Sequence, residues 1–313
     1  MVGISKTIGA LKGRARHMFS NSLVAFKHAC YAFGCRIFKR VEKTRTWPEA
    51  EFLIDNVPNE IWGEVGDNYT NWIYQQGFFA ALIKCFTRNE SLKIVDFGCG
   101  HGKLALVSVF FTHPEGEYLG IDIQESYINY CRRKYVQLPR VRFHVSKDYN
   151  PLYSPQQESA VAGSKSYGED WPVTAESIDV VIAISVFTHL READAFGYIK
   201  KIHDVLKPGA LAILTCHIVE EPRKQPGFIF KYNPFLVSLF KFPTALPTSY
   251  NWFTSNPALP ESGIAINMAG LNSLIQGKFK VERIMRGSAT GGNDPLPQDV
   301  VVLRKLTLPI DRA

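Results

Sequence analysis

The feature that most constrains the fold is the segment IVDFGCGHG at 94–102, where three glycines at alternate positions follow an apolar run. An apolar strand, a glycine-rich turn and then a helical pattern are typical of the first unit of a doubly wound α/β sheet. Gly98, Gly100 and Gly102 let the backbone turn sharply and approach a ligand where a Cβ atom would intervene. Because ligands bind at the carboxyl ends of the strands in such sheets, the turn predicts a binding site.

The sequence from Ser91 onward alternates between short apolar runs and amphipathic stretches. This alternation is typical of parallel strands joined by helical crossovers, so it predicts an α/β domain. The predicted strands cover 93–97, 118–121, 141–145, 178–184, 210–215, 279–285 and 299–303. The predicted helices cover 103–111, 124–135 and 191–206. The triplet Lys207, Pro208, Gly209 is expected to form the turn that ends the last helix.

Two long segments interrupt this alternation. Residues 150–175 are rich in Ser, Pro, Gln and Gly, which predicts a long loop. Residues 220–262 are aromatic and punctuated by prolines, with the run GFIFKYNPFLVSLFKF at 227–242. Structureless segments of this length are usually functional, so this second insertion predicts a lid over an acceptor pocket. Its aromatic and lysine side chains also suit a lipid headgroup boundary, which is the alternative.

The basic charge of the chain is concentrated at its N-terminus. Residues 1–45 carry ten basic residues and one acid, a formal charge of +9, which leaves −2 for the rest of the chain. We therefore divide the chain into a basic arm at 1–45, a helical lead-in at 46–90 and the α/β domain at 91–313. Apolar residues at near-helical spacing in the arm predict a helix. It either lies on an anionic membrane or partner, or packs on the domain with its basic face in water.

Two acids near the glycine turn indicate what kind of ligand it binds. Asp96 stands two residues before Gly98, where a carboxylate would repel a pyrophosphate but suits an ammonium group. Asp122 ends the second predicted strand, 20 residues past Gly102, and can accept hydrogen bonds from both hydroxyls of a ribose. Lys103 occupies the position of the third glycine of a dinucleotide-binding turn, so the spacing argues against a dinucleotide.

On these motifs, residues 92–305 resemble the class I S-adenosylmethionine-dependent methyltransferases, with VDFGCGHG as first motif and GIDIQ as second. The resemblance implies a Rossmann-like, seven-stranded, mostly parallel sheet with an antiparallel last strand, a helical N-terminal region and S-adenosylmethionine as cofactor. The cofactor-binding residues that it implies are Asp96, Gly98, Gly100, Gly102, Asp122, Ile123, Asp148 and Ser185. Asp148 is the nearest match to the residue that meets the adenine amine, and a loop-capping role is the alternative.

The segment after the fourth predicted strand bears on the methyl acceptor. It reads ISVFTHL at 184–190, and lacks the (N/D/S)PP(Y/F) motif of families that methylate base or amide nitrogens. It resembles a subgroup with SVFTH at this point, a YNP loop upstream, here 149–151, and a late glycine segment, here 286–302. That subgroup is associated with small-molecule or glycan acceptors. We therefore expect O-methylation of a small-molecule, glycan or lipid-linked acceptor.

His189 is the candidate catalytic residue, because a neutral imidazole at the rim of the cofactor pocket can take a proton from a hydroxyl. The alternative is a helix-capping or core histidine, with alignment of acceptor and methyl group supplying most of the acceleration. His217, past the fifth predicted strand, is a second candidate base. No cluster of His and carboxylate residues at metal-ligand spacing is evident, so no metal is expected.

Other functions remain open at this stage. A nucleic-acid or protein methyltransferase tethered by the basic arm is one alternative, but the near-neutral body argues against nucleic acid as a partner. A non-catalytic protein that binds the cofactor is another. The six cysteines form no zinc-type spacing, and no apolar run of 18 residues occurs. We expect a cytoplasmic protein, with peripheral membrane contact through residues 1–45 as the further expectation.

Overall fold

The computed structural model describes residues 69–87, 91–105, 116–153, 167–220, 242–246, 249–290 and 296–307, with side chains from residue 77 onward. The predictions for the basic arm at 1–45 and for most of the lead-in at 46–90 lie outside the described residues. So do those for most of the helix at 103–111 and for the aromatic run at 227–242, apart from Phe242.

The described helices and strands follow the predicted order closely. The helices are α1 (Tyr69–Phe86), α2 (Glu125–Lys134), α3 (Glu192–Val205) and α4 (Met268–Ile275). The strands are β1 (Lys93–Phe97), β2 (Glu117–Asp122), β3 (Val141–Val145), β4 (Ile178–Ala183), β5 (Leu206–Cys216), β6 (Thr244–Leu246), β7 (Ser249–Thr254), β8 (Ile264–Ile266), β9 (Phe279–Met285) and β10 (Asp299–Lys305). Among the helices of the described ranges, none is long and apolar enough to cross a membrane.

The main sheet has seven strands in the order β3-β2-β1-β4-β5-β10-β9. Strands β1 to β5 pair in parallel, whereas β10 runs antiparallel to both β5 and β9. This confirms the predicted mostly parallel sheet with an antiparallel last strand. The strand order reverses at β1, which lies between β2 and β4, and a crevice for a ligand forms at such a point. The carboxyl end of β1 carries the glycine turn.

Helix α3 covers one face of the sheet because its apolar residues recur at helical spacing. Its buried side chains include Ala195, Tyr198, Ile199, Ile202 and Val205. They pack in one core with Val95, Phe97, Val181 and Leu214 of the sheet. Burying each large aliphatic side chain contributes about 1.5–3 kcal/mol. The helix therefore stabilises the central strands β1, β4 and β5, whose carboxyl ends lie at the edge of the sheet that carries the glycine turn.

The prediction that Lys207, Pro208 and Gly209 form a turn after the helix is wrong. Helix α3 ends at Val205, and all three residues lie inside β5. The pairing advances from Leu206 to Leu211 along β5 while it advances only from Ile178 to Val180 along β4. Gly209, with a φ of 74°, lies within this bulge. Proline is compatible with extended backbone, and glycine allows the left-handed conformation of the bulge. The triplet therefore forms a bulge within β5 and not a turn before it.

The second insertion is also not structureless where it is described. Strands β6, β7 and β8 form a three-stranded antiparallel sheet. Successive residues of β7 point to opposite faces, so Trp252 packs in the main core while Phe253 packs with Phe242 and Val219. Ile218, just after β5, bridges to Ile266 of β8. This part of the insertion is therefore joined to the domain core.

A buried carboxylate ties β5, β9 and β10 together at the edge near the site. The side chain of Asp299 is fully buried and accepts hydrogen bonds from the backbone N–H of Ile218 at 2.6 Å and of Gly287 at 2.8 Å. Thr290 Oγ1 donates to it at 2.6 Å, and Arg286 Nε donates at 2.9 Å. These four donors satisfy the hydrogen-bonding capacity of the buried carboxylate. They also hold the late glycine segment next to the carboxyl end of β5.

We expect Asp299→Asn to lower the free energy of unfolding by about 2–4 kcal/mol, because the amide turns an acceptor into a donor facing buried donors. Urea unfolding followed by circular dichroism measures the change. Asp204→Asn is the matched control, since it removes one partner of the exposed Lys200–Asp204 pair on α3. That control should cost less than about 0.5 kcal/mol. Equal stability of the two variants would show that the Asp299 network contributes little.

Candidate functional site

The glycine turn after β1 adopts a left-handed backbone at each of its three glycines. The φ angles are 73° at Gly98, 51° at Gly100 and 70° at Gly102. A Cβ atom at Gly98 would collide with Val186, and one at Gly102 would meet neighbouring side chains at 3.0–3.2 Å. At Gly100 a Cβ would meet no atom of the described residues within 4 Å. The turn therefore packs tightly at its two ends and leaves open space at its middle, as a cradle for a ligand requires.

Asp122, at the carboxyl end of β2, organises this turn. Its Oδ2 accepts a hydrogen bond from the Gly100 N–H at 2.8 Å, and its Oδ1 accepts one from the Gln124 N–H at 2.9 Å. Burial raises the pKa of Asp122, although the two backbone N–H groups oppose the shift. Each carboxylate oxygen keeps a second lone pair, so the residue can still accept from two ribose hydroxyls. The neighbouring Ile123 is half-buried. The site thus fits the ribose of the expected cofactor.

Asp96 lies buried beneath the same turn. The Tyr118 hydroxyl donates to its Oδ2 at 2.6 Å. Burial raises its pKa to about 7, and the hydrogen bond from Tyr118 offsets part of that shift. A nearby cation would lower the pKa of this carboxyl group, because a positive charge favours its ionised form. The ammonium of a methionine moiety is such a cation, and contact between the two remains a prediction.

The structure places Asp148 in a loop-capping position. Its carboxylate accepts from the Gly168 N–H at 3.0 Å and from Ser146 Oγ at 2.9 Å, and burial raises its pKa. These contacts are those of the alternative interpretation, and the adenine contact stays a prediction. A second acid that sequence reasoning missed lies beside it. Asp170 accepts from the Lys147 N–H at 2.9 Å and from Ser146 Oγ at 3.1 Å.

Ser185 follows β4 in an unusual conformation for a residue with a side chain. It is exposed and has a φ of 58°, in the left-handed region. Its N–H donates to Thr215 Oγ1 at 2.7 Å, and the Gln298 Nε2 donates to its Oγ at 2.9 Å. Strain of this kind persists where surrounding contacts impose it, and it clusters at binding sites. Thr215 and Gln298, which sequence reasoning missed, therefore join Ser185 at the carboxyl ends of β4 and β5.

His189 is held at the edge of this site by contacts on both sides. Its Nδ1 lies 2.7 Å from the carbonyl oxygen of Glu261 in the second insertion. Asn150 Nδ2 donates to the His189 carbonyl at 3.0 Å, and the exposed Tyr153 ring meets the imidazole edge to face at 5.7 Å. Because a carbonyl can only accept, Nδ1 carries the hydrogen and Nε2 keeps its lone pair. Burial lowers the pKa of His189, so the ring is neutral near pH 7.

His217, the second candidate base, lies deeper than His189. It is 3% exposed and packs against Phe242 with ring centroids 5.1 Å apart. Burial, followed by the proximity of His189, lowers its pKa to about 3. Within the described part of the chain, neither histidine belongs to a group of three possible metal ligands. Of the two, His189 is the histidine whose ring contacts the exposed Tyr153.

We expect Gly100→Ala to weaken binding of S-adenosylhomocysteine at least about tenfold, because a methyl group would fill the open cradle. Calorimetric titration measures the affinity. Gly277→Ala is the matched control, since Gly277 also has a left-handed φ, here 70°, and open space around a built Cβ. Both variants should lose roughly 1 kcal/mol of stability from the left-handed backbone, but only the first should lose affinity. Unchanged affinity in Gly100→Ala would place the cofactor elsewhere.

Affinity for S-adenosylmethionine should rise with pH near neutrality. Asp96 is protonated below about pH 7 in the free protein, and a bound ammonium favours its ionised form. Binding should therefore strengthen by about five- to tenfold between pH 6 and pH 7.5. Titration of Asp96→Asn over the same range is the control and should show no such slope. If the affinity of the unmodified protein did not change with pH, Asp96 would not be the residue that binds the ammonium.

A family model matches the part of the chain that carries the glycine turn. Residues 95–212, from β1 into β5, match the model of a family described as a methyltransferase domain. The chain is similar to a solved SAM-dependent methyltransferase from Aquifex aeolicus, with 15% identity and a TM-score of 0.46 over 80% of this chain and 100% of that one. It is also similar to SAM-dependent methyltransferases from Methanosarcina mazei, with 19% identity, a TM-score of 0.45 and coverage of 72% and 98%. The part of the chain from β1 into β5 therefore matches a methyltransferase domain, and the sheet order and glycine turn agree with the predicted fold of a class I S-adenosylmethionine-dependent methyltransferase.

Proposed function

We propose that this methyltransferase acts on a hydroxyl oxygen, with His189 as general base. The observation that carries the proposal is the 2.7 Å contact between His189 Nδ1 and the Glu261 carbonyl. This contact directs the lone pair of a neutral imidazole to Nε2. A hydroxyl must lose its proton as it gains a methyl group, whereas a neutral amine already presents a free lone pair. A histidine in this state supports an oxygen acceptor.

S-Adenosylmethionine supplies a methyl group on a positively charged sulfur, which departs as a neutral thioether. The chain's own residues would bind the cofactor, align the acceptor and accept its proton. Gly100 and Asp122 would hold the ribose side and Asp96 the ammonium. The bound cofactor would supply the methyl group, with a bond forming between the acceptor oxygen and the methyl carbon as the carbon–sulfur bond breaks. His189 Nε2 takes the hydroxyl proton, so charge and atoms balance.

The acceptor class that we propose is a small molecule, a glycan or a lipid-linked molecule. The exposed Ser185 and the half-buried Gln298 present a hydroxyl and an amide group beside the carboxyl ends of β4 and β5, which supports an acceptor rich in hydroxyls. The exposed ring of Tyr153 beside His189 offers an apolar surface for a sugar or aromatic ring. The +9 charge of residues 1–45 supports a peripheral contact with an anionic membrane, where a lipid-linked acceptor would reside.

We expect His189→Ala to lower kcat by about 10²-fold and to leave the affinity for S-adenosylmethionine unchanged. Transfer of labelled methyl to a panel of phenols, monosaccharides and glycolipids measures turnover, and added imidazole should restore part of it. His203→Ala is the control, because His203 contacts Asp204 and Phe279 near the other end of α3. Turnover within a few-fold of the unmodified protein would remove His189 from catalysis. No transfer by either protein, with intact cofactor binding, would favour a binding protein.

A further inference from the structure

We infer that the Arg191–Glu261 ion pair is a positioning device that sets the tautomer of His189. The inference deepens the proposed function, since it explains how the second insertion makes that histidine a base. Neither Arg191 nor Glu261 need touch the substrate for this role. The inference concerns which ring nitrogen carries the hydrogen, a property that can be measured without turnover.

The ion pair is built as a two-pronged fork. Arg191 Nε lies 2.5 Å from Glu261 Oε1, and Arg191 Nη2 donates to Glu261 Oε2 at 3.2 Å. The Glu261 side chain is only 2% exposed, whereas that of Arg191 is half exposed. A buried carboxylate is costly unless a cation and hydrogen bonds satisfy it, and a guanidinium does both at once. Glu261 therefore stays where Arg191 holds it.

The backbone around Glu261 is constrained from the other side too. Glu261 lies in the short 3₁₀ turn Pro260–Ser262. Thr254 Oγ1, buried at the end of β7, donates to the Pro260 carbonyl at 3.2 Å. The turn is thus anchored to β7 through Thr254 and to the start of α3 through Arg191. Between these anchors the Glu261 carbonyl points at His189 Nδ1.

The backbone of His189 is held by contacts outside this turn. Its N–H donates to the Val186 carbonyl at 2.9 Å, and its own carbonyl accepts from Asn150 Nδ2. Loss of the ion pair should therefore leave the histidine in place and change only the partner of Nδ1. Neutral imidazole has two tautomers, and the hydrogen bond made by one nitrogen decides which is populated. Releasing the carbonyl would let the hydrogen move to Nε2 and block the base.

Glu261 lies beyond residues 95–212, the part that matches the methyltransferase family model. His189 and Arg191 lie within it. The matched part thus contributes the imidazole and the cation, and the second insertion contributes the acceptor that orients the ring. Catalysis by His189 accordingly requires the 260–262 turn to keep its carbonyl contact with His189 Nδ1.

Two-bond ¹H–¹⁵N correlation spectra of the full chain test the inference, with His189 assigned by its loss in His189→Gln. The unmodified protein should show a protonated Nδ1 and an unprotonated Nε2 at His189. Arg191→Met should shift the ring towards a mixture of tautomers and lower kcat by about tenfold or more, with KM for S-adenosylmethionine unchanged. Arg191→Lys should restore part of both, because it keeps the charge but not the fork.

Matched variants separate this role from general destabilisation. Lys200→Met removes the exposed partner of Asp204 on the same helix and should change neither the spectrum nor kcat. The double variant Arg191→Met/Glu261→Gln removes both charges, so it leaves no buried carboxylate without a cation and still lacks the clamp. It should fold and show the mixed tautomers.

The outcomes are distinct. An Nε2-protonated His189 in the unmodified protein, or a double variant with the original tautomer and kcat, would overturn the inference. A protonated Nδ1 that is lost in the double variant supports it. If that result accompanied normal turnover in His189→Ala, the positioning role would stand and the proposed base would fail.

Discussion

The glycine turn keeps its shape because its backbone N–H groups find acceptors at the end of the neighbouring strand. Gly98 and Cys99 both donate to the Ile121 carbonyl, and Gly100 donates to the Asp122 side chain. These three hydrogen bonds to β2 supplement the turn's own bond from the Gly102 N–H to the Cys99 carbonyl. The residue that would hold the ribose is therefore also the residue that shapes the cradle, and the two tasks cannot be separated.

The site contains buried carboxylates that are satisfied in different ways. Asp299 and Glu261 each have an arginine in direct contact, and both serve to hold loops in place. Asp96 has the neutral hydroxyl of Tyr118 as its hydrogen-bond donor in the described part of the chain. Burial raises the pKa of Asp96, and the hydrogen bond from Tyr118 offsets part of that shift. Asp96 thus differs from Asp299 and Glu261 in having a neutral hydrogen-bond donor, and we expect it to favour a bound cation.

Local patterns in the sequence were sufficient to predict β1, β3 and β9 with the bounds observed, and to predict the glycine turn with Asp122. These features depend on neighbouring residues and on periodicity. Glu261 and Gln298 escaped prediction because their contacts with His189 and Ser185 span 72 and 113 positions along the chain. The three-stranded sheet escaped for a related reason. Its strands are short, and their pairing is decided by packing on the core.

Strand β7 presents Trp252 to the main core and Phe253 to a second, smaller cluster. The insertion that contains it therefore has a stability role as well as any part in recognition. A chain shortened to the family core would lose the cover over Phe187 and Leu214, which share the Trp252 cluster. Evolution could not delete this segment without first rebuilding the interior beneath it.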